Sequence, residues 1–212
     1  MNIQIEHHCV DQFAIYAAEL MKWNKNINLT AITSPVEIAV KHFLDSIAPA
    51  HYIKPMCSLL DIGSGGGFPG IPLKIILPSL SVTLIDARAK KVTFQKHIIN
   101  VLKLQNTKAC HGRAEDFCKS QSFTNPFDVI ICRALSSFEK FVSVATPLLA
   151  KGGSILAMRG RDTEDDIKKF NSFLLKSFSA QDTSQKAFSL SVKKFTLPFI
   201  KAERTLFILK FT

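Results

Sequence analysis

The chain has no apolar stretch near the ~18 residues that a membrane-spanning helix needs. Its apolar runs are short and broken by charge or proline. The start, Met1-Asn2-Ile3-Gln4-Ile5-Glu6-His7-His8, lacks the basic residues and apolar block of a secretory signal. Cysteines are few: five, at positions 9, 57, 110, 118 and 132, an odd number with no C-x-x-C. Neither a disulfide framework nor a zinc site follows from them, and reduced cytoplasm is the expected compartment. The six histidines show no H-x-x-x-H or other ligand spacing, so no metal is expected. Acids are scarce too: 17 Asp+Glu stand against 27 Lys+Arg, a net charge of +10. That excess favours a polyanionic partner, nucleic acid or an acidic membrane surface.

What is present describes a globular α/β protein. At 212 residues with 47% hydrophobic content, folding removes roughly 70% of the unfolded surface from water. Val10, Phe13, Ala14, Ala17, Leu20 and Met21 form one apolar helical face. Ser34-Pro35-Val36-Glu37 reads as a capping box opening a second helix, whose face is Val36, Ala39, Val40, Phe43 and Ile47. These helices are expected to form an N-terminal subdomain over 1–54, with the main domain over 55–212. From Cys57 onward the chain alternates. Strand-like runs at 57–62, 81–86, 106–110, 127–132 and 153–158 are separated by helical patterns, notably Lys90–Leu102 and Phe138–Leu149. The alternation predicts a parallel sheet with helices on both faces. Residues 187–197 and 204–211 then read as two strands with no helix between them, an antiparallel hairpin closing one edge. The expected architecture is Rossmann-like, with a mostly parallel seven-stranded sheet.

The most informative segment is Asp61-Ile62-Gly63-Ser64-Gly65-Gly66-Gly67-Phe68-Pro69-Gly70, between the apolar Leu59-Leu60 and a helical pattern from Ile71 to Leu77. A strand therefore ends in a glycine turn that opens a helix, where a Cβ would block both the turn and a ligand's approach. Two ligands fit. Gly65, Gly67 and Gly70 satisfy the G-x-G-x-x-G of dinucleotide binding. Asp61, Gly63, Gly65 and Gly67 satisfy the D-x-G-x-G-x-G of S-adenosylmethionine (SAM) binding. Asp86, ending the run Ser81-Val82-Thr83-Leu84-Ile85, suits either, because a carboxylate accepts from both ribose hydroxyls. The hairpin ending favours SAM, since a dinucleotide domain more often continues with another βαβ unit.

Further candidates lie at the ends of later strands. Ala114 and Glu115 or Asp116, in Gly112-Arg113-Ala114-Glu115-Asp116, sit where a backbone N–H and a carboxylate meet an adenine; helix capping by the acids is the bland alternative. Arg133 ends the fourth strand and is a candidate to fix a carboxylate or phosphate, or to stack on a base; a surface salt bridge is its alternative. The preceding Cys132 reads as a buried filler and not as a nucleophile. No Asn/Asp-Pro-Pro-aromatic motif follows, which disfavours transfer to an exocyclic amine. Arg88, Lys90, Lys91, Arg113, Arg159 and Arg161 follow strand ends and predict a phosphate-facing cationic rim.

Beyond these residues the chain resembles the RsmG (GidB) family, bacterial SAM-dependent methyltransferases of 16S ribosomal RNA. The likeness runs over nearly the whole length. It rests on Trp23-Asn24-Lys25, Asn28-Leu29-Thr30-Ala31-Ile32, His42-Phe43-Leu44-Asp45-Ser46, the glycine segment through Ile71-Pro72-Leu73, Arg113-Ala114-Glu115, Arg133-Ala134 and Glu203-Arg204. The Phe68-Pro69-Gly70-Ile71-Pro72 continuation is what a generic methyltransferase would not share. The resemblance implies methyl transfer to guanosine N7 in a small-subunit rRNA loop, with 16S rRNA or the small ribosomal subunit as partner; no membrane partner is expected from the short apolar runs, and a monomer is expected. It carries SAM contacts onto Gly63, Phe68, Ala114, Glu115 and Arg133, beside the turn's Gly65 and Gly67 and the ribose acid Asp86, and adds Arg204 to the RNA-contacting candidates. Gly66 stands where alanine is common, a change expected to be harmless, and Cys132 where serine is common.

That chemistry needs no general base, because guanine N7 already carries an in-plane lone pair. Positioning and electrostatics are expected to do the catalysis, with Arg133 as an orienting candidate only. An NAD-dependent oxidoreductase and a non-catalytic RNA-binding module are the rival readings.

Overall fold

The computed structural model describes residues 5–117, 125–133, 137–162, 164–178 and 188–211. The start of the chain (1–4), Cys118, Ala134-Leu135 and the first residue of the expected 187–197 strand lie outside the described residues.

In chain order the elements are α1 (His7–Ile27), α2 (Pro35–Glu37), a π-helical stretch (Ile38–Leu44), α3 (Asp45–Ile47), β1 (Ser58–Ile62), α4 (Gly70–Ile76), β2 (Ser81–Asp86) and α5 (Ala89–Val101). There follow β3 (Thr107–His111), α6 (Ala114–Phe117), β4 (Phe127–Arg133), α7 (Phe138–Ala145), β5 (Leu149–Arg159), α8 (Glu164–Phe178), β6 (Phe188–Thr196) and β7 (Glu203–Phe211). The strands form one seven-stranded sheet in the order β3-β2-β1-β4-β5-β7-β6. β1 pairs parallel with both β2 and β4, and β4 parallel with β5. β7 lies antiparallel between β5 and β6. The strand order reverses direction at β1, so the crevice beyond the carboxyl ends of β1 and β4 is where such a sheet accepts a ligand.

The five central strands are buried on both faces, as their apolar runs require. Leu59, Leu84, Val129, Ile131 and Leu156 belong to one apolar cluster; Leu60, Ile85, Ile130, Ile155 and Phe207 belong to the other. Tyr16 and Leu20 of α1 are fully buried in the first cluster, alongside Ile71 and Leu84.

Three local expectations need correction. The buried face of α1 is Cys9, Tyr16 and Leu20, with Phe13 half-buried, so Val10 and Ala14 point to solvent. The second helix is π-wound from Ile38 to Leu44, and its i→i+5 turn rotates successive residues away from a 3.6-residue face. As a result His42 and its neighbour Phe43 are both buried, while Val36 and Ala39 are exposed. Ser34 makes no side-chain cap; Glu37 instead pairs with Lys41 one turn on. Finally, α7 stops at Ala145, gives one 3-10 turn through Pro147, and β5 begins at Leu149. Proline has no N–H to continue an α-helix.

Candidate functional site

The glycine turn closes over the end of β2. The Gly63 and Ser64 N–H groups both donate to the Ile85 carbonyl (2.8 and 3.2 Å), and those of Gly67 and Phe68 donate back to the Ser64 carbonyl (2.7 and 2.8 Å). Such tight winding needs left-handed backbone, and Gly63, Gly65 and Gly67 have φ of +71°, +58° and +97°.

Three side chains hold the turn from outside. Tyr16, fully buried on α1, donates its hydroxyl to the Gly66 carbonyl. Gln95, fully buried on α5, donates to Ser64 Oγ (2.9 Å) and to the Gly65 carbonyl (2.7 Å). Asp61 Oδ2 accepts from the Gly70 N–H at the start of α4 (2.8 Å). Neither Tyr16 nor Gln95 emerged from the sequence. Gln95 had a faint signal, an uncharged polar side chain amid the apolar residues that α5 turns inward.

Beside the turn lies a cleft of about 410 Å³, within the range of small-ligand sites. Gly63, Asp86, Gly112, Ala114 and Glu115 line it together with the α7 residue Lys140. Asp86 is buried, and its two oxygens accept from the Gly65 N–H (2.8 Å) and the Arg88 N–H (2.9 Å). Each oxygen retains a further lone pair for a ligand hydroxyl. Glu115 pairs with Lys140 at 3.4 Å; its own backbone N–H, ahead of Lys140, holds its carboxyl below the usual range. Both Gly63 and Gly112 have open space where a Cβ would stand.

The structure thus brings Gly63, Asp86, Ala114 and Glu115 together, whereas Phe68 and Arg133 do not line this cleft. Phe68 is buried between aromatic rings, stacked on His42 (centroids 4.5 Å apart) and on Tyr16 (5.4 Å). The Arg133 guanidinium lies over the Phe68 ring at 5.0 Å. It donates to the Lys41 carbonyl (2.9 Å) and to His42 Nδ1 (3.1 Å), with Asp45 at 3.7 Å. Phe68 also fills the space next to Gly66. An added Cβ there would sit 2.9 Å from the ring, so alanine at 66 in this chain requires the ring to shift.

Burial governs the ionisable groups inside. It pushes Asp61 up to about 7, against the pull of the Gly70 N–H and Arg133. It drives the Cys132 thiol far above its ordinary range, which fits a filler and not a nucleophile.

The cationic rim divides. Arg88, Lys90, Lys91 and Arg113 have no acidic partner within ion-pair distance among the described residues. Lys91 Nζ would lie 3.7 Å from a Cβ at Gly65, which puts it beside the turn. Arg159, Arg161 and Arg204 instead pair with Asp162 (3.2 Å), Glu203 (2.9 Å) and Asp45 (3.0 Å). No group of three or more potential metal ligands occurs among the described residues.

Set against known proteins, residues 9–202 match the model of the family described as rRNA small subunit methyltransferase G. The chain belongs to that family. A ribosomal RNA small subunit methyltransferase G from Desulfitobacterium hafniense (strain Y51) is 38% identical over 205 residues, covering 97% of this chain and 85% of that protein. The one from Geotalea uraniireducens (strain Rf4) is 49% identical over 156 residues, 74% of this chain and 70% of that protein. Two solved structures share the fold. TYW2 from P. horikoshii has a TM-score of 0.59 at 15% identity, over 80% of this chain and 62% of that one. Precorrin-6y C5,15-methyltransferase from Geobacter metallireducens GS-15 has a TM-score of 0.51 at 13% identity, over 80% and 85%. Membership of the methyltransferase G family makes the glycine turn part of a methyltransferase, which sets aside both the dinucleotide oxidoreductase and the non-catalytic RNA module.

Proposed function

We propose that this chain transfers a methyl group from SAM to N7 of a guanosine in 16S rRNA. The observation that carries the reading is the cleft that joins Gly63, Asp86 and Ala114 at the carboxyl edge of the sheet in a member of the methyltransferase G family. The residues present suit the donor. Asp86 offers lone pairs to ribose hydroxyls, and the Ala114 N–H with the Glu115 carboxylate offers a donor–acceptor pair to an adenine. Asp61 Oδ1 is fully buried and has no hydrogen-bond partner among the described residues. Buried polar atoms are rarely left so, and Asp61 lies outside the lining of the cleft. Bound SAM contributes an electrophilic methyl on a sulfonium.

Everything else falls to positioning. Guanine N7 attacks with its own lone pair, so the protein need not remove a proton first, and Asp61 is held by the Gly70 N–H too deep in the fold to act as a base. Arg133 is the orienting group in this reading, with its guanidinium fixed at the end of β4. N7 lies on the major-groove edge, which side chains cannot reach in A-form RNA, so the target is an unpaired or splayed guanosine. Arg113, which lines the cleft, and Arg88, Lys90 and Lys91, all without an acidic partner among the described residues, are the phosphate contacts of choice.

The test is incubation of unmodified small ribosomal subunits, and of naked 16S rRNA, with methyl-labelled SAM, followed by chemical cleavage at N7-methylguanine. Label and cleavage at one guanosine are expected. Label that resists N7-specific cleavage would refute the assignment to N7, and absence of label on both substrates would refute the activity.

A further inference from the structure

The N-terminal helical segment reaches the end of β4 through a chain of contacts that packing alone does not require. Asn24 Nδ2 donates to the Thr30 carbonyl (2.8 Å), and the Thr30 N–H donates to Asn24 Oδ1 (2.9 Å), which locks Thr30 in place. Thr30 Oγ1 lies 2.8 Å from His42 Nε2 and also accepts from the Ile32 N–H (3.0 Å). Arg133 Nη2 stands 3.1 Å from His42 Nδ1.

The direction of each bond follows from chemistry. A guanidinium has only donors, so Nδ1 must be the accepting nitrogen and the imidazole proton sits on Nε2, facing Thr30. A protonated imidazole would point a second donor at Arg133 and break the contact. The environment agrees: burial first, then the charges of Arg133 and Lys41, push His42 down to about 3. The ring face is used as well, stacked on Phe68 at an interplanar angle of 12°. One side chain therefore touches both Arg133 and Phe68, the two resemblance-implied donor contacts that lie outside the cleft lining. It does so from a π-helical stretch, whose wide turn lets Phe43 point to Phe13 and Tyr16 (4.8 and 5.2 Å) while His42 points to Phe68.

We infer that His42 is a positioning residue for methyl transfer. As a neutral imidazole held by Thr30, it fixes the Arg133 guanidinium and the Phe68 ring relative to the glycine turn. The inference rests on the reading of Arg133 as the orienting group, and its consequence is that the Asn24–Thr30–His42 line belongs to the assembly of the site. Displacing an orienting group by about 1 Å costs on the order of a hundredfold in rate, so the effect is expected on turnover more than on folding.

Three substitutions in the full-length chain separate the roles. His42→Phe keeps an aromatic ring against Phe68 and deletes the acceptor. His42→Asn keeps an acceptor near the Nδ1 position and deletes the ring. Thr30→Val, nearly isosteric and away from Arg133, removes the hydroxyl that accepts from His42 Nε2 and holds the ring. For each, kcat on small subunits at saturating SAM, the SAM Kd and the Tm are measured, and His42→Phe is repeated in an Arg133→Lys background.

His42→Phe is expected to lower kcat by roughly ten- to a hundredfold with a Tm close to that of the wild type. His42→Asn should recover part of the loss, and Thr30→Val should show a smaller loss of the same kind. In the Arg133→Lys background His42→Phe should cost little more, because residues acting through one another are not additive. Full activity of His42→Phe, or an equal loss in both backgrounds, would overturn the inference. Should His42→Phe not fold, Thr30→Val decides: unchanged kcat and SAM Kd would overturn it. Wild-type turnover by Arg133→Lys would instead refute the reading of Arg133, and an inactive wild type the proposed function.

Discussion

Asp61 puts a carboxyl into the core and Gln95 an amide, and each has a measurable consequence. The folded-state pKa of Asp61, pushed by burial to about 7, lies above the unfolded value of about 3.9. Between those values the folded state binds more protons than the unfolded one, so the Asp61 contribution to stability falls as pH rises through the window. Asp61→Asn keeps an oxygen to accept from the Gly70 N–H and removes the titration. Urea unfolding of both proteins at pH 5 and pH 8 should show the variant gaining on the wild type by roughly 1–3 kcal/mol at the higher pH; a gap that does not move with pH would contradict this. Gln95→Met removes two donated bonds to the turn, at Ser64 Oγ and the Gly65 carbonyl. A loss of about 1–3 kcal/mol in unfolding free energy is expected, with weaker SAM binding because the turn loses its outer brace. Unchanged SAM affinity would separate the brace from the site.

Among the elements, the turn from β1 into α4 is the most constrained. A Cβ at Gly70 would sit 2.9 Å from Asp61 Oδ2 and 3.2 Å from Asp61 Cβ, and would press on Leu84 as well. These groups belong to buried central strands, so Gly70→Ala should cost about 1–3 kcal/mol and lower the Tm. Gly66→Ala, which presses on the Phe68 ring and meets Leu20 at an ordinary 3.5 Å, should cost less; equal losses in thermal unfolding would contradict the difference. The turn was legible in the sequence because glycine spacing, an acid at a strand end and a following helix are all local. The parallel strands were legible for a similar reason: runs buried on both faces read as continuous apolar segments. The π-winding of Ile38–Leu44 was not, since its apolar residues suit a 3.6-residue face nearly as well, and the rings that His42 and Phe43 pack against come from other elements. Arg133 shows the same limit. Its place at the end of β4 could be read from the sequence, but its partners Lys41, His42 and Asp45 lie about 90 residues earlier.

At the scale of the molecule, the net charge of +10 is distributed unevenly over the rim. Arg88, Lys90, Lys91 and Arg113 are free of acidic partners among the described residues, while Arg204 is tied to Asp45, which also faces Arg133. Single alanine substitutions at the four free cations should weaken RNA binding and reduce the dependence of log K on log salt by about one unit each. Arg204→Ala should act mainly through stability, because it leaves the buried Asp45 with one cation fewer, and burial already pushes that carboxyl up. Filter binding across a salt series, beside thermal unfolding, distinguishes the two classes. An unchanged slope for all four free cations would remove them from the RNA interface.

The most direct measurement is a calorimetric titration of SAM into the purified wild-type chain and into Asp86→Ala. Saturable binding to the wild type, weakened at least tenfold in a variant that unfolds like the wild type apart from the lost Gly65 and Arg88 contacts, is the predicted result. No heat with the folded wild type, or equal affinity for both proteins, would contradict the assignment of the Gly63–Asp86–Ala114 cleft as the methyl-donor site.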